Sequence, residues 1–224
     1  MICMHHSIPH PKLSLEYLIR DHQKTAVKPP LLLLLHGYGS SEHDLFDLAG
    51  DIPPEYLLIS VRGPVTLSEG AYAWFPLDWS TGAPVHQPPD AEAARLKLKQ
   101  FIDEVIAAFA VDPERIVMVG FSQGAIMSYS IALTIPHFIK GVAALSGRIL
   151  EELKGDITKA SRHSPLKVFI GHGTEDTVLP IRHAREARAY LEHHHIIPEY
   201  HEYEMPHGVT PPELSALTAW LARL

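Results

Sequence analysis

The run V117-M-V-G-F-S-Q-G-A125 (Val117 to Ala125) decides the fold. Its first residues suit a buried strand, and a helical pattern follows Ser122. A turn from strand to helix in so few residues crowds the backbone. Gly120 and Gly124, two residues either side of the serine, leave room for that approach. Ser122 then projects from a tight bend, and the helix beginning there has backbone N–H groups free to hold an oxyanion. A plain glycine-rich turn with a solvated serine would explain the motif alone. It would not explain the residues that accompany it.

The bend lies in a chain of 224 residues with a formal net charge of −7, 46% hydrophobic and 20% charged residues. These values suit one globular domain over residues 1–224, with a substantial core. They exclude a broad basic face for nucleic acid. No apolar run approaches the length of a membrane span, so stable membrane insertion is not expected. The start, MICMHHSIPHPK, lacks the basic and apolar segments of a secretory leader, and Cys3 is the single cysteine. A reducing, cytoplasmic location is the expectation.

Short apolar runs bounded by Gly, Pro or Asp mark seven strands: 13–19, 31–35, 57–61, 116–120, 142–146, 167–171 and 199–203. Several are apolar at consecutive positions, as in parallel strands covered on both faces. Between them, Leu98, Phe101, Ile102, Val105, Ile106 and Phe109 form one helical stripe, with Asp90 expected to cap it. Further helices are expected at 123–134, 181–193 and 212–223. The alternation predicts an α/β fold, a mainly parallel sheet with helices on both faces.

A serine hydroxyl is a weak nucleophile. It needs a base, and the base needs an acid to orient it. In hydrolases built on this bend the order is serine, acid, histidine. Asp176 follows the strand 167–171 and His207 follows the last strand, so both belong at the carboxyl edge of the sheet. Glu175 competes with Asp176, but DTVLP leading into a helix favours the aspartate. Among sixteen histidines, His36 reads as structural and His172 as a loop hydrogen-bonder. His193, His194 and His195 sit near a helix end, where imidazolium suits the helix dipole. Oxyanion donors are expected at the N–H of Gln123 and, from HGYGS after the second strand, that of Tyr38.

LLHGYGSSEHDL, RGP, AYAWFPLD, DPERIVMVGFSQGA, LSG, GHGTEDTVLP and MPHGVTPPEL occur in this order. Over residues 30–224 the chain thus resembles the phospholipase/carboxylesterase family of α/β hydrolases, related to acyl-protein thioesterases and lysophospholipases. The resemblance implies the α/β-hydrolase fold without a large lid domain. It also implies a Ser122–Asp176–His207 catalytic triad, an oxyanion hole at Tyr38 and Gln123, and no metal or organic cofactor. Ser40 stands where the thioesterase branch tends to carry an acidic residue, and Gly208 where it carries a serine. The second trait is similar to the bacterial esterase branch.

The expected function is a serine carboxylesterase acting on small or medium acyl esters through an acyl-enzyme, with acyl thioesterase or lysophospholipase as the alternative. A histidine base must be neutral, so activity is expected to fall below about pH 6.5, the ordinary imidazole range. Residues 62–89 hold Tyr72, Trp74, Phe75 and Trp79, and the last three are candidates for the wall of an acyl groove. Residues 148–164 are too few for a large lid. A metal hydrolase built on His5, His6, His10 and the 193–195 run lacks any His-Glu-x-x-His helix. A catalytically silent binding module is disfavoured by three competent triad residues. A dienelactone-type hydrolase usually carries cysteine where Ser122 stands. The expected partner is a small ester, and the sequence leaves monomer or homodimer open.

Overall fold

The computed structural model describes residues 10–23, 28–80, 82, 84–135, 139–154 and 166–224. Among these described residues, nine strands are β1 (Tyr17–Arg20), β2 (Leu31–Leu35), β3 (Leu57–Val61), β4 (Val65–Ser68), β5 (Ala71–Ala73), β6 (Ile116–Phe121), β7 (Ile139–Leu145), β8 (Lys167–Gly173) and β9 (Glu199–Tyr203). Four α-helices among them are α1 (Pro88–Phe109), α2 (Gln123–Thr134), α3 (Arg182–His193) and α4 (Pro211–Leu221). Seven strands form one sheet in the order β1-β3-β2-β6-β7-β8-β9. Only β1 runs antiparallel to its neighbour.

Consecutive leucines in β2 work because each face of the sheet is covered. Leu31, Leu33 and Leu35 join the core under α1 and α2, and Leu32 and Leu34 join the core under α4. In β6, Ile116 and Met118 face the first core while Val117 and Val119 face the second. With every strand position committed to one core or the other, a shift of one residue in register would exchange both faces. The central strands are thereby fixed, and their carboxyl ends share one rim.

Several boundaries differ from the sequence expectation; β7, for example, begins at Ile139 rather than Val142. β1 begins at Tyr17 rather than Leu13, because the chain bends at Ser14–Leu15 and the Ser14 N–H donates to Glu104 Oε2 at 2.7 Å. Helix α1 starts at Pro88 after Gln87, so Asp90 lies inside its first turn and does not cap it. Proline suits that first position because its missing N–H would have had no intrahelical partner. The aromatic stretch after β3 carries the β4–β5 hairpin and an antiparallel bridge between Asp78 and Val85. A second bridge, Ser40 to Tyr72, ties that hairpin to the loop after β2. Arg62 strengthens the tie: it pairs with the buried Glu42 carboxylate and lies 4.4 Å from the centre of the Tyr72 ring.

Among the described residues, no helix is long and apolar enough to cross a membrane. The stretch between β7 and β8 begins with a short 3-10 turn at Glu151–Leu153, and no lid-sized unit stands among the described residues. Residues 155–165 of that stretch lie outside them, as do Cys3, His5 and His6.

Candidate active site

Ser122 stands between β6 and α2 with φ 52° and ψ −113°, a conformation costing a residue other than glycine about 1–3 kcal/mol. The two flanking glycines explain how the bend is held. A Cβ at Gly120 would overlap the Gly124 carbonyl, and one at Gly124 would overlap the carbonyls of Leu35 and His36. Two backbones thus approach too closely for any side chain. The Ser122 N–H donates to the Leu145 carbonyl at 2.9 Å, fastening the turn to β7.

The loops after β8 and β9 bring two further groups to this serine. Ser122 Oγ lies 2.9 Å from His207 Nε2, and His207 Nδ1 lies 2.6 Å from Asp176 Oδ2. An ionised carboxylate only accepts, so Nδ1 carries the proton and Nε2 is left to accept from the hydroxyl. Asp176 is itself fixed, its Oδ1 accepting the N–H groups of Val178 at 2.9 Å and Leu179 at 2.8 Å. The carboxylate is buried, while Glu175 beside it is exposed to solvent. The Phe121 ring packs with its centre 4.9 Å from that of His207. The three residues expected from sequence therefore converge with hydrogen-bond geometry.

The histidines read as structural are placed accordingly. His36 is fully buried; its Nδ1–H donates to the Gly37 carbonyl at 2.7 Å and its Nε2 accepts the Gly63 N–H at 2.9 Å. Burial lowers its pKa, so the ring stays neutral. His172 donates from Nε2 to the Leu179 carbonyl at 2.6 Å, and burial lowers its pKa too. It braces the turn that carries Asp176. Among the described residues, no three His, Cys, Asp or Glu side chains form a group able to hold a metal ion.

Gln123 has a side-chain role that its place beside the serine does not reveal. Its Oε1 accepts the Trp74 N–H at 2.7 Å and its Nε2 donates to the Phe75 carbonyl at 2.8 Å. Trp74 Nε1 donates in turn to the His36 carbonyl at 3.0 Å. One amide thus joins the start of α2, the 74–75 segment and the loop after β2. A local pattern carries no signal for such a contact, because its partners lie 48 and 49 positions away.

The loop after β2 runs beside the serine: a Cβ added at Gly37 would stand 3.4 Å from Ser122 Cβ. Gly39 N–H donates to the Tyr72 carbonyl at 2.8 Å and Ser40 N–H to the Gly37 carbonyl at 3.3 Å. Among the described residues, the Tyr38 N–H is given no such acceptor. Of the aromatic residues expected to wall a groove, Trp74 and Phe75 are each 1% exposed and belong to the core beneath α1 and α2. Their rings pack in the core rather than face solvent. Trp79 is 52% exposed, with its ring centre 6.2 Å from that of Tyr38.

The model of the phospholipase/carboxylesterase family matches residues 21–224. The chain belongs to that family. Its class is therefore that of carboxylic ester hydrolases, on the α/β-hydrolase fold. Acyl-protein thioesterase 1 of Mycosarcoma maydis is 31% identical, covering 90% of this chain and 94% of its own. The crystal structure of esterase PE8 is 29% identical with a TM-score of 0.81, covering 93% of this chain and 98% of its own. That of the Bacillus cereus carboxylesterase is 25% identical with the same TM-score of 0.81, covering 93% of this chain and 94% of its own.

Proposed function

We propose that this protein is a serine carboxylesterase in which Ser122, His207 and Asp176 form the catalytic triad. The reading rests on one observation, the continuous path from Ser122 Oγ to His207 Nε2 at 2.9 Å and from His207 Nδ1 to Asp176 Oδ2 at 2.6 Å. His207 takes the Ser122 proton as the hydroxyl oxygen bonds to the ester carbonyl carbon. The proton then passes to the departing alkoxide, leaving an acyl-serine and a free alcohol. Water attacks the acyl carbon, gives its proton to His207, and the serine is regenerated with release of the acid. Asp176 keeps the imidazole in the required tautomer and offsets its charge when protonated.

The oxyanion formed at each addition is held by the N–H groups of Gln123 and Tyr38. The first belongs to the opening residue of α2, where no intrahelical acceptor exists. The second belongs to the loop against Ser122, described above. Tyr38 and the exposed Trp79 border the substrate, whose acyl part is small or of medium length. Thioester hydrolysis is the second reading, favoured by the likeness to an acyl-protein thioesterase over 90% of this chain. Rates on a matched series of p-nitrophenyl esters and acyl thioesters, for the unmodified enzyme and Ser122→Ala, test both. Ester hydrolysis that survives Ser122→Ala would refute the nucleophile.

A further inference from the structure

A second polar cluster borders the same rim and has no part in the triad. Arg148 lies three residues beyond the end of β7, the strand whose Leu145 carbonyl accepts the Ser122 N–H at 2.9 Å. Gly147, just before it, packs against Ala125 in the first turn of α2, where a Cβ would overlap. A second path reaches Arg148 from the other side. Gln123 holds the Phe75 carbonyl at 2.8 Å, the Phe75 ring lies 5.6 Å from that of His86, and His86 Nδ1 is 3.4 Å from Arg148 Nη2.

The hydrogen bonds fix what each group offers. His86 Nε2 donates to Glu152 Oε1 at 2.7 Å, so its Nδ1 is an acceptor and takes the long bond from Arg148. Among the described residues, the guanidinium has no other hydrogen-bond partner. Its Nε–H is buried without a partner, and among the described residues no carboxylate lies within 4.0 Å of Arg148. His183, in the first turn of α3, feels the Arg148 charge as well as burial, which together lower its pKa. Burial lowers the pKa of Arg148, and Glu152 and Glu151 oppose that shift only through space, without touching the guanidinium. A partly buried cation with one long hydrogen bond and no direct ion pair is stabilised when an anion completes it. Arginine presents a planar fork of donors suited to a carboxylate.

We propose that Arg148 binds a carboxylate borne by the ester substrate, making half-esters of short dicarboxylic acids the preferred substrate class. The inference rests on the serine esterase reading above. The distal carboxylate stays unchanged through the reaction; water cleaves only the ester bond, giving the dicarboxylic acid and the alcohol. Arg148 acts on specificity. Ser122, His207 and Asp176 supply the bond breaking.

Monomethyl glutarate and monomethyl adipate, against methyl pentanoate as the neutral comparison, test this by proton release at constant pH. The unmodified enzyme should favour a half-ester. Arg148→Met should lower kcat/KM on the half-esters about 10- to 100-fold, mainly through KM, and that on methyl pentanoate less than about 3-fold. Arg148→Lys should recover part of the loss. Equal losses on charged and neutral esters would assign Arg148 a structural role and overturn the proposal; so would no loss on the half-esters. If Arg148→Met does not fold, free glutarate serves with the unmodified enzyme: it should inhibit methyl pentanoate hydrolysis competitively while butyramide does not, and absence of inhibition overturns the proposal. Hydrolysis of methyl pentanoate without half-ester preference sinks the carboxylate site alone. Activity on no ester above the Ser122→Ala background sinks the esterase reading and the carboxylate site together.

Discussion

Replacing Gln123 with alanine removes two buried hydrogen bonds and leaves their main-chain partners stranded. The Trp74 N–H at 2.7 Å and the Phe75 carbonyl at 2.8 Å both lose the Gln123 amide, and both residues are 1% exposed. Each stranded group costs about 1–3 kcal/mol, so unfolding free energy should fall by about 2–6 kcal/mol. The same change releases the segment that anchors the loop after β2 through Trp74 Nε1 and the His36 carbonyl, 3.0 Å apart. Tyr38, two residues beyond His36, would lose its fixed distance from Ser122. Removing an oxyanion donor outright costs about 10²–10³ in kcat, so displacing the proposed donor at Tyr38 should lower kcat at least about 10-fold. Urea unfolding and steady-state kinetics on one neutral ester measure the two effects separately. Stability within about 0.5 kcal/mol of the unmodified protein, with unchanged kcat, would refute the argument that this amide holds the site together.

Asp176→Asn should preserve the fold and lower kcat about 10⁴-fold, because an amide no longer selects the His207 tautomer that leaves Nε2 free; steady-state rates beside near-ultraviolet dichroism check it. Gly124→Ala should destabilise the protein by at least about 3 kcal/mol, since its Cβ would overlap the carbonyls of Leu35 and His36, and a melting curve reads the loss. Glu213 is fully buried in the first turn of α4, neither oxygen has a hydrogen-bond partner among the described residues, and burial pushes its carboxyl from the ordinary 4.5 up to about 8. The folded state then holds this proton more tightly than the unfolded chain. Stability should therefore decline as pH rises from about 4.5 to about 8, by up to about 1.4 kcal/mol per pH unit. Glu213→Gln should flatten that decline, so its melting temperature should exceed that of the unmodified protein at pH 8 but not at pH 5. Parallel pH profiles for the two proteins would contradict the assignment.

What could be read from the sequence had a local cause. The leucines of β2 and the alternating residues of β6 announce strands with two covered faces, because each side chain answers to its own core. The glycines around Ser122 announce a backbone crossing that permits no side chain. Asp176 and His207 were legible because a parallel sheet sends each strand's carboxyl end to one rim. The remainder depends on partners far along the chain. Nothing near Gln123 shows that its amide reaches residues 74 and 75, and nothing near Arg148 shows His86, 62 positions away. The β4–β5 hairpin escaped notice because its strands are four and three residues long and β4 is mostly exposed, leaving little apolar alternation to read. The burial of Trp74 is illegible for a related reason: composition shows an aromatic ring, while its buried position follows from contacts with the loop after β2.

Treatment with an alkyl fluorophosphonate, followed by intact-mass measurement and peptide mapping, tests the central claim most directly. One adduct per chain is predicted, located on Ser122, with labelling abolished in Ser122→Ala and strongly slowed in His207→Ala. An unlabelled protein, or a label carried by another residue at full rate in Ser122→Ala, would contradict an imidazole-activated serine at this bend.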